Sequence, residues 1–295
     1  MNSIVQEIKN TFERGSALIK LIYINLAVFL VVGVIKVLAF LFGFGGITAL
    51  FIKFLAVPAD LGALITRPWT LFTYMFLHEG FLHILFNLLW LYVFGRIFLM
   101  YMNEKRLLSV YLVGGLAGAA LYILAFNVFP AFEQDLPKAI ALGASASVMA
   151  IVIAVSVYAP NNAINFFFIG PIRLKYIALF VIVLDVLSIA GSNAGGHIAH
   201  LGGAIFGYFY IVQFRKGKNL THGFDRFMDS IFSLFKPKPK FKVTHKRPAN
   251  DIEYNRQKAE KQEKIDKILE KISKRGYDSL TKEEKEILFR SGNNS

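Results

Sequence analysis

Six stretches of this chain are long and apolar enough to constrain everything else: about 19–42, 80–101, 107–128, 142–159, 172–191 and 197–214. A membrane-spanning helix needs roughly 20 mainly apolar residues to cross the hydrocarbon layer. The last two stretches are separated only by Ser192 to Gly196, which forces an antiparallel hairpin. Turn formers mark most other borders: Gly43 to Gly46, Pro130, Pro137, and Pro160-Asn161-Asn162. Composition agrees, since 55% hydrophobic and 15% aromatic residues with mean hydropathy +0.49 exceed what a soluble domain carries. The expected fold is an all-α membrane protein, a six-transmembrane-helix bundle over residues 1–214 with a small cytoplasmic helical tail over 215–295.

The first twenty residues mix Glu7, Glu13, Lys9, Arg14 and Lys20 without a signal-like apolar core, so the first apolar stretch reads as a retained helix. The absence of cysteine excludes disulfides and thiolate chemistry. Basic residues set the orientation. With the N-terminus inside, the inner loops hold Lys9, Arg14, Lys20, Arg96, Lys105, Arg106, Arg173 and Lys175, and the outer loops hold only Lys53, Arg67 and Lys138. Most of the +13 net charge falls in the tail and follows from this topology, so nucleic acid is not an expected partner. Membrane lipid is. Phe235-Lys-Pro-Lys-Pro-Lys-Phe-Lys242 forms a basic linker suited to anionic headgroups.

Beyond the linker, Ile265, Ile268, Leu269 and Ile272 recur at helical spacing within a charged helix over about 252–274. Gly276 is a stop signal. Thr281 and Glu284 form a capping box that opens a second helix running through Leu288.

Polar side chains inside the apolar stretches single out the chemistry. Imidazole is rare at membrane depth, and an intramembrane ionisable group is a functional-site hypothesis by default. Ser145 lies in Gly143-Ala-Ser-Ala-Ser147 and His200 in Gly196-His-Ile-Ala-His-Leu-Gly-Gly203. The two stretches are one crossing apart, run in the same direction, and carry these residues near their starts, hence at similar depth. Gly196, Gly203 and Gly207 bare one helix face around His200, and Ala144 and Ala146 flank the serine, so close approach is allowed. A serine at a helix start also sits among unpaired N–H groups and the positive end of the helix dipole, the surroundings an oxyanion needs. In the second stretch His83 and Asn87 are four apart, stacked on one face near the outer end, and both can donate hydrogen bonds.

These pieces together resemble the rhomboid family of intramembrane serine proteases: His83-xxx-Asn87, Gly143-Ala144-Ser145, and Gly196-xxx-His200-xx-Gly203-xxx-Gly207, in that order, over roughly residues 15–214. The resemblance implies a six-helix bundle with a water-filled cavity open to the outside. It assigns Ser145 as nucleophile, His200 as general base and acid, and His83 and Asn87 to the oxyanion hole, with no metal or cofactor. Ala146 stands where many members have Gly. Met149 replaces an aromatic residue that stacks on the histidine in some members. Thr70 follows Trp69 where a Trp-Arg pair is frequent, with Arg67 nearby as the substitute.

Taken singly, the motifs have plainer readings. Gly143 to Ser147 suits close helix packing, His83 a buried hydrogen-bonded histidine, and Asn87 an interhelical clasp. His197 has no Cys or carboxylate partner in its own helix and reads as a loop-shaping residue. His78 and His83 are five apart, about 140° around a helix, so the zinc-protease spacing is absent. Asp185 is a lone acid, excluding an aspartyl pair and leaving open whether it orients His200. A small transporter fits poorly, since no inverted repeats are visible. The expected function is an intramembrane serine endopeptidase acting on transmembrane protein substrates in a prokaryotic plasma membrane. The alternative is a proteolytically inactive rhomboid-like protein that binds membrane clients.

Overall fold

In the computed structural model, which describes residues 11–12, 15–166, 169–235 and 251–292, each of the six apolar stretches forms a helix. In chain order the first unit contains α1 (Ala17–Leu41), α2 (Gly45–Leu55), β1 (Val57–Pro58), α3 (Leu61–Thr66), α4 (Thr70–Thr73) and a 3-10 turn (Tyr74–Phe76). Then come α5 (Phe81–Tyr101), α6 (Glu104–Val128), β2 (Ile140–Ala141), α7 (Ser145–Tyr158), the hairpin β3 (Ala163–Phe166) and β4 (Gly170–Arg173), α8 (Leu174–Ser188), α9 (Ala194–Arg215) and α10 (His222–Phe235). Among the described residues, α1, α5 and α6 are long and apolar enough to cross a membrane by length and composition. Of the other three expected spans, α7 and α8 have only 14 and 15 residues, and α9 is interrupted by Gly, His and polar positions.

The core centres on α7. Every residue from Ala146 to Ser156 is buried, and α5, α6, α8 and α9 pack around it. Small residues make this possible. A Cβ added at Gly203 would collide with the Ala146 carbonyl and one at Gly207 with that of Ala150, so α9 lies with its bare backbone against α7. Gly202 does the same against α6, where an added Cβ would stand 2.6 Å from the Ala117 carbonyl oxygen. Apolar side chains of α1 and α8, by contrast, face outward: Leu30, Val34, Phe40, Leu179 and Leu187 are all exposed. In lipid that exposure carries no hydrophobic penalty.

The long first loop is ordered by backbone capture. Trp69 Nε1 donates to the Phe54 carbonyl at 2.9 Å and the Arg67 guanidinium to that of Lys53, so both side chains tie off the end of α2. Val57 and Pro58 pair antiparallel with Ala141 and Ile140, strapping the loop to the segment that leads into α7.

The first compact unit ends at Phe235, beyond the break expected near Arg215. Its extension has a polar cause: the buried Asp225 of α10 accepts from Ser109 of α6, from Asn219 at 2.9 Å and from Thr221 at 3.2 Å. The second unit contains α11 (Asp251–Arg275) and α12 (Lys282–Gly292). Gly276 takes φ +78°, ending α11 as a left-handed residue should. The capping box forms as expected, with Thr281 N–H on Glu284 at 2.7 Å and Glu284 N–H on Thr281 Oγ1 at 3.3 Å. Lys271 pairs with Glu284 at 2.8 Å, and Ile268 and Leu280 are buried. The basic linker 236–242, together with Lys9 and Arg14, lies outside the described residues.

Candidate active site

Ser145 opens α7 because the chain turns sharply just before it. Gly143 has φ +127°, a conformation that glycine adopts freely and other residues rarely. The N–H of Gly143 donates to the Tyr74 carbonyl at 2.8 Å, and that of Ala144 to His78 Nε2 at 3.4 Å. From Ser145 to Ser147 the N–H groups have no acceptor among the described residues; pairing resumes at Val148, which donates to the Ala144 carbonyl at 2.9 Å. The first free donors of the helix are therefore at the serine itself.

The two groups that receive Gly143 and Ala144 are fixed in turn. Tyr74 donates its hydroxyl to the Gly115 carbonyl at 2.5 Å, and burial, reinforced by Tyr111, pushes its phenol above the ordinary tyrosine range, keeping it a neutral donor. His78 is fully buried, and its Nδ1 lies 3.3 Å from the Phe76 carbonyl. Burial lowers its imidazole to about 4, helped by the neighbouring His83 and opposed by the Phe76 carbonyl. A neutral ring with Nδ1–H on Phe76 leaves Nε2 free to accept from Ala144. The spacing argument that dismissed His78 as a zinc ligand gave no sign of this anchoring role. Only the loop's fold brings it under the serine.

His83 and Asn87 stand one turn apart on α5. Asn87 Nδ2 donates to the His83 carbonyl at 2.8 Å, which uses one amide hydrogen and leaves the other. The His83 ring fills the space left by the missing side chain of Gly143. A Cβ there would lie 2.9 Å from His83 Nε2 and 3.6 Å from Ser145 Oγ. Ser147, the nearest competing hydroxyl, points elsewhere: it is buried, unpartnered, and faces Gly115 of α6.

His200 is delivered by the Gly203 contact one turn later in α9. Its Nδ1 is 2.8 Å from Asp185 Oδ1, and His197 Nδ1 reaches the same oxygen at 2.8 Å. Asp185, on α8, is 5% exposed. A carboxylate accepting at Nδ1 fixes the proton there and leaves the His200 Nε2 lone pair available. The sequence left this contact open, because no spacing rule links residues on two helices joined by a short turn. No hydrogen bond joins Ser145 and His200 in the structure. Both line a cavity of about 740 Å³, as do His83, Asn87, Met149, Asp185 and His197. An activatable hydroxyl, an imidazole with a free lone pair and convergent N–H donors are the parts of an acyl-transfer site.

Residues 66–217 match the Rhomboid domain. This chain belongs to the rhomboid family. Its rhomboid domain contains Ser145, His200, His83, Asn87 and Asp185, and the apolar helices make the chain an integral membrane protein. It is 32% identical over 162 residues to RHOMBOID-like protein 12, mitochondrial, of Arabidopsis thaliana, covering 52% of this chain and 48% of that protein. It is 30% identical over 151 residues to Rhomboid protease AarA of Providencia stuartii, covering 48% of this chain and 53% of that one. The match thus spans about half the length of these curated relatives. Residues 250–291, the capped hairpin, match a family of unknown function, DUF6576.

Proposed function

We propose that this rhomboid is an active intramembrane serine endopeptidase that cleaves transmembrane segments of membrane proteins with a Ser145–His200 dyad. Ser145 Oγ attacks the scissile carbonyl carbon while His200 Nε2 takes its proton. The carbonyl oxygen becomes an oxyanion held by the Ser145 N–H, His83 and the second amide hydrogen of Asn87. Collapse expels the amine, which leaves with the proton from His200. Water then attacks the acyl-enzyme, with His200 again as base, and releases the carboxylate product and the free serine. Asp185 keeps the His200 proton on Nδ1 throughout. The substrate helix must unwind locally, because its peptide carbonyls are otherwise hydrogen-bonded and shielded.

The observation that carries the proposal is the shared cavity: nucleophile, Asp185-held base and two side-chain donors line one space. The same reading includes six membrane helices, with both termini and the tail on the cytoplasmic side of a prokaryotic plasma membrane. The distribution of loop lysines and arginines supports that orientation.

The deciding experiment uses purified protein with a fluorophosphonate probe and a model transmembrane substrate. Labelling at Ser145 and cleavage that both vanish in Ser145→Ala support the protease. A folded wild type that neither labels nor cleaves makes the chain an inactive client binder.

A further inference from the structure

Asp185, His197 and His200 offer one ligand atom each, and all three atoms lie within 4.8 Å of one another, the one such convergence of three metal-ligating side chains among the described residues. The histidines are three apart on α9, with rings nearly perpendicular at 81°, so both Nδ1 atoms turn toward the carboxylate from α8. Two elements of a tight hairpin therefore supply three ligands. The site is reachable, since the histidine side chains keep 25% and 20% of their surface exposed and line the cavity. Its charge also favours a cation: Glu79 and Asp185 line the same cavity, and no lysine or arginine does.

We propose that Asp185, His197 and His200 form an inhibitory binding site for a borderline divalent cation of the Zn²⁺ type, with a cavity water or hydroxide as fourth ligand. Two imidazoles and one carboxylate select zinc-like ions over magnesium or calcium, which prefer all-oxygen shells. Tetrahedral ligands at about 2.0–2.1 Å stand about 3.3 Å apart, whereas each nitrogen is 2.8 Å from the carboxylate oxygen and all three atoms lie within 4.8 Å, so binding needs ligand shifts of about 0.5 Å to at most about 1.5 Å.

The consequence for catalysis rests on the proposed role of His200. A metal at Nδ1 displaces that proton to solvent, and the neutral ring takes one up at Nε2. The lone pair that would receive the Ser145 proton is gone, and Nε2 can only donate. Zinc is thus an inhibitor of the dyad and no part of its chemistry.

Binding and inhibition are measured separately on full-length, metal-stripped protein in detergent. Co²⁺, a spectroscopic stand-in, is titrated and followed by its visible absorption. One equivalent with tetrahedral intensity is expected in wild type and equally in Ser145→Ala, which has no nucleophile, so this arm stands whether or not the chain is a protease. His197→Ala and His197→Gln, checked for folding by circular dichroism, should bind at least tenfold more weakly. Zn²⁺ should displace Co²⁺, and Mg²⁺ and Ca²⁺ should not. In the activity arm, Zn²⁺ should stop cleavage reversibly, and the His197 variants should need at least tenfold more of it. Equal Co²⁺ affinity in wild type and both His197 variants, or no binding, overturns the site. Tight binding to an active enzyme without inhibition overturns the regulatory role.

Discussion

Gly203 of α9 rests its bare α-carbon against the carbonyl of Ala146 in α7, one turn from His200 and one residue from Ser145. The contact sets the distance between the helices that carry the proposed base and nucleophile. A methyl group at Gly203 must push them apart or displace a buried carbonyl. Gly203→Ala should cost about 1–3 kcal/mol of stability, as overpacking of tight cores does. Cleavage should fall further than the loss of folded protein explains. A variant as stable and as active as wild type would show that the interface tolerates what its geometry forbids.

Asp185→Asn removes the negative charge that holds the His200 proton on Nδ1 and puts an N–H donor where a carboxylate oxygen stood, leaving shape and volume almost unchanged. If Asp185 positions the base, kcat should fall by about 100-fold or more, with KM little changed. Fluorophosphonate labelling should slow in parallel, because that step uses the same base without a transmembrane substrate. A purely structural Asp185 would instead lower the fraction of folded enzyme and leave the surviving molecules at full rate.

His83→Ala and Asn87→Ala test the oxyanion hole. Each should lower kcat by about 10–1000-fold if it removes one donor. Asn87 also clasps the His83 carbonyl, so its loss is expected to be the more damaging to order on α5. Steady-state kinetics separates the outcomes: an effect confined to KM would assign these residues to substrate binding.

His78 gives the fold a defined acid sensitivity. Its folded pKa of about 4 lies below the ordinary 6.5, so the unfolded chain binds more protons between those values. Stability should therefore be unaffected by this group above about pH 6.5 and fall as pH drops toward 4, by on the order of 3 kcal/mol in all. His78→Asn can still accept from Ala144 but does not titrate. Denaturation curves at neutral pH and near pH 4.5 should show a smaller acid loss in the variant than in wild type.

Truncation distinguishes the two units. Removal of residues from 236 onward should leave cleavage in detergent within a few-fold of full length, since the first compact unit ends at Phe235. Cutting near residue 220 should be worse, because Ser109 then loses the Asp225 carboxylate inside the first unit. Equal activity of the two truncations would make α10 an ornament of the domain.

What the sequence made legible follows from how local each signal is. The six apolar helices, the stop at Gly276 and the Thr281–Glu284 box depend on residues within a turn or a run, and the structure has each of them. Ser145, His200, His83 and Asn87 could be found because each sits at a fixed spacing from a small or polar neighbour, and they do share one cavity. Asp185 and His78 could not be assigned that way. Their partners, His200 and Ala144, are 15 and 66 residues away, and the contacts exist only after α8 folds back and the first loop closes. The limit of the first unit was misplaced for the same reason: Asp225 in a polar segment gives no hint that Ser109 is its partner.

Under the proposed function, the shortness of α7 has a consequence for where a substrate is cut. Fourteen helical residues are about 21 Å long, whereas the hydrocarbon layer is about 30 Å thick. A helix whose far end meets one face of the bilayer therefore begins about 9 Å short of the other, the rise of about six helical residues. In the proposed function, with α7 as a membrane helix, Ser145 at that beginning makes the helix length a depth gauge for the scissile bond. Sliding the apolar boundary of a substrate by one or two residues should move the cut by the same number, keeping its depth constant while the sequence at the cut changes.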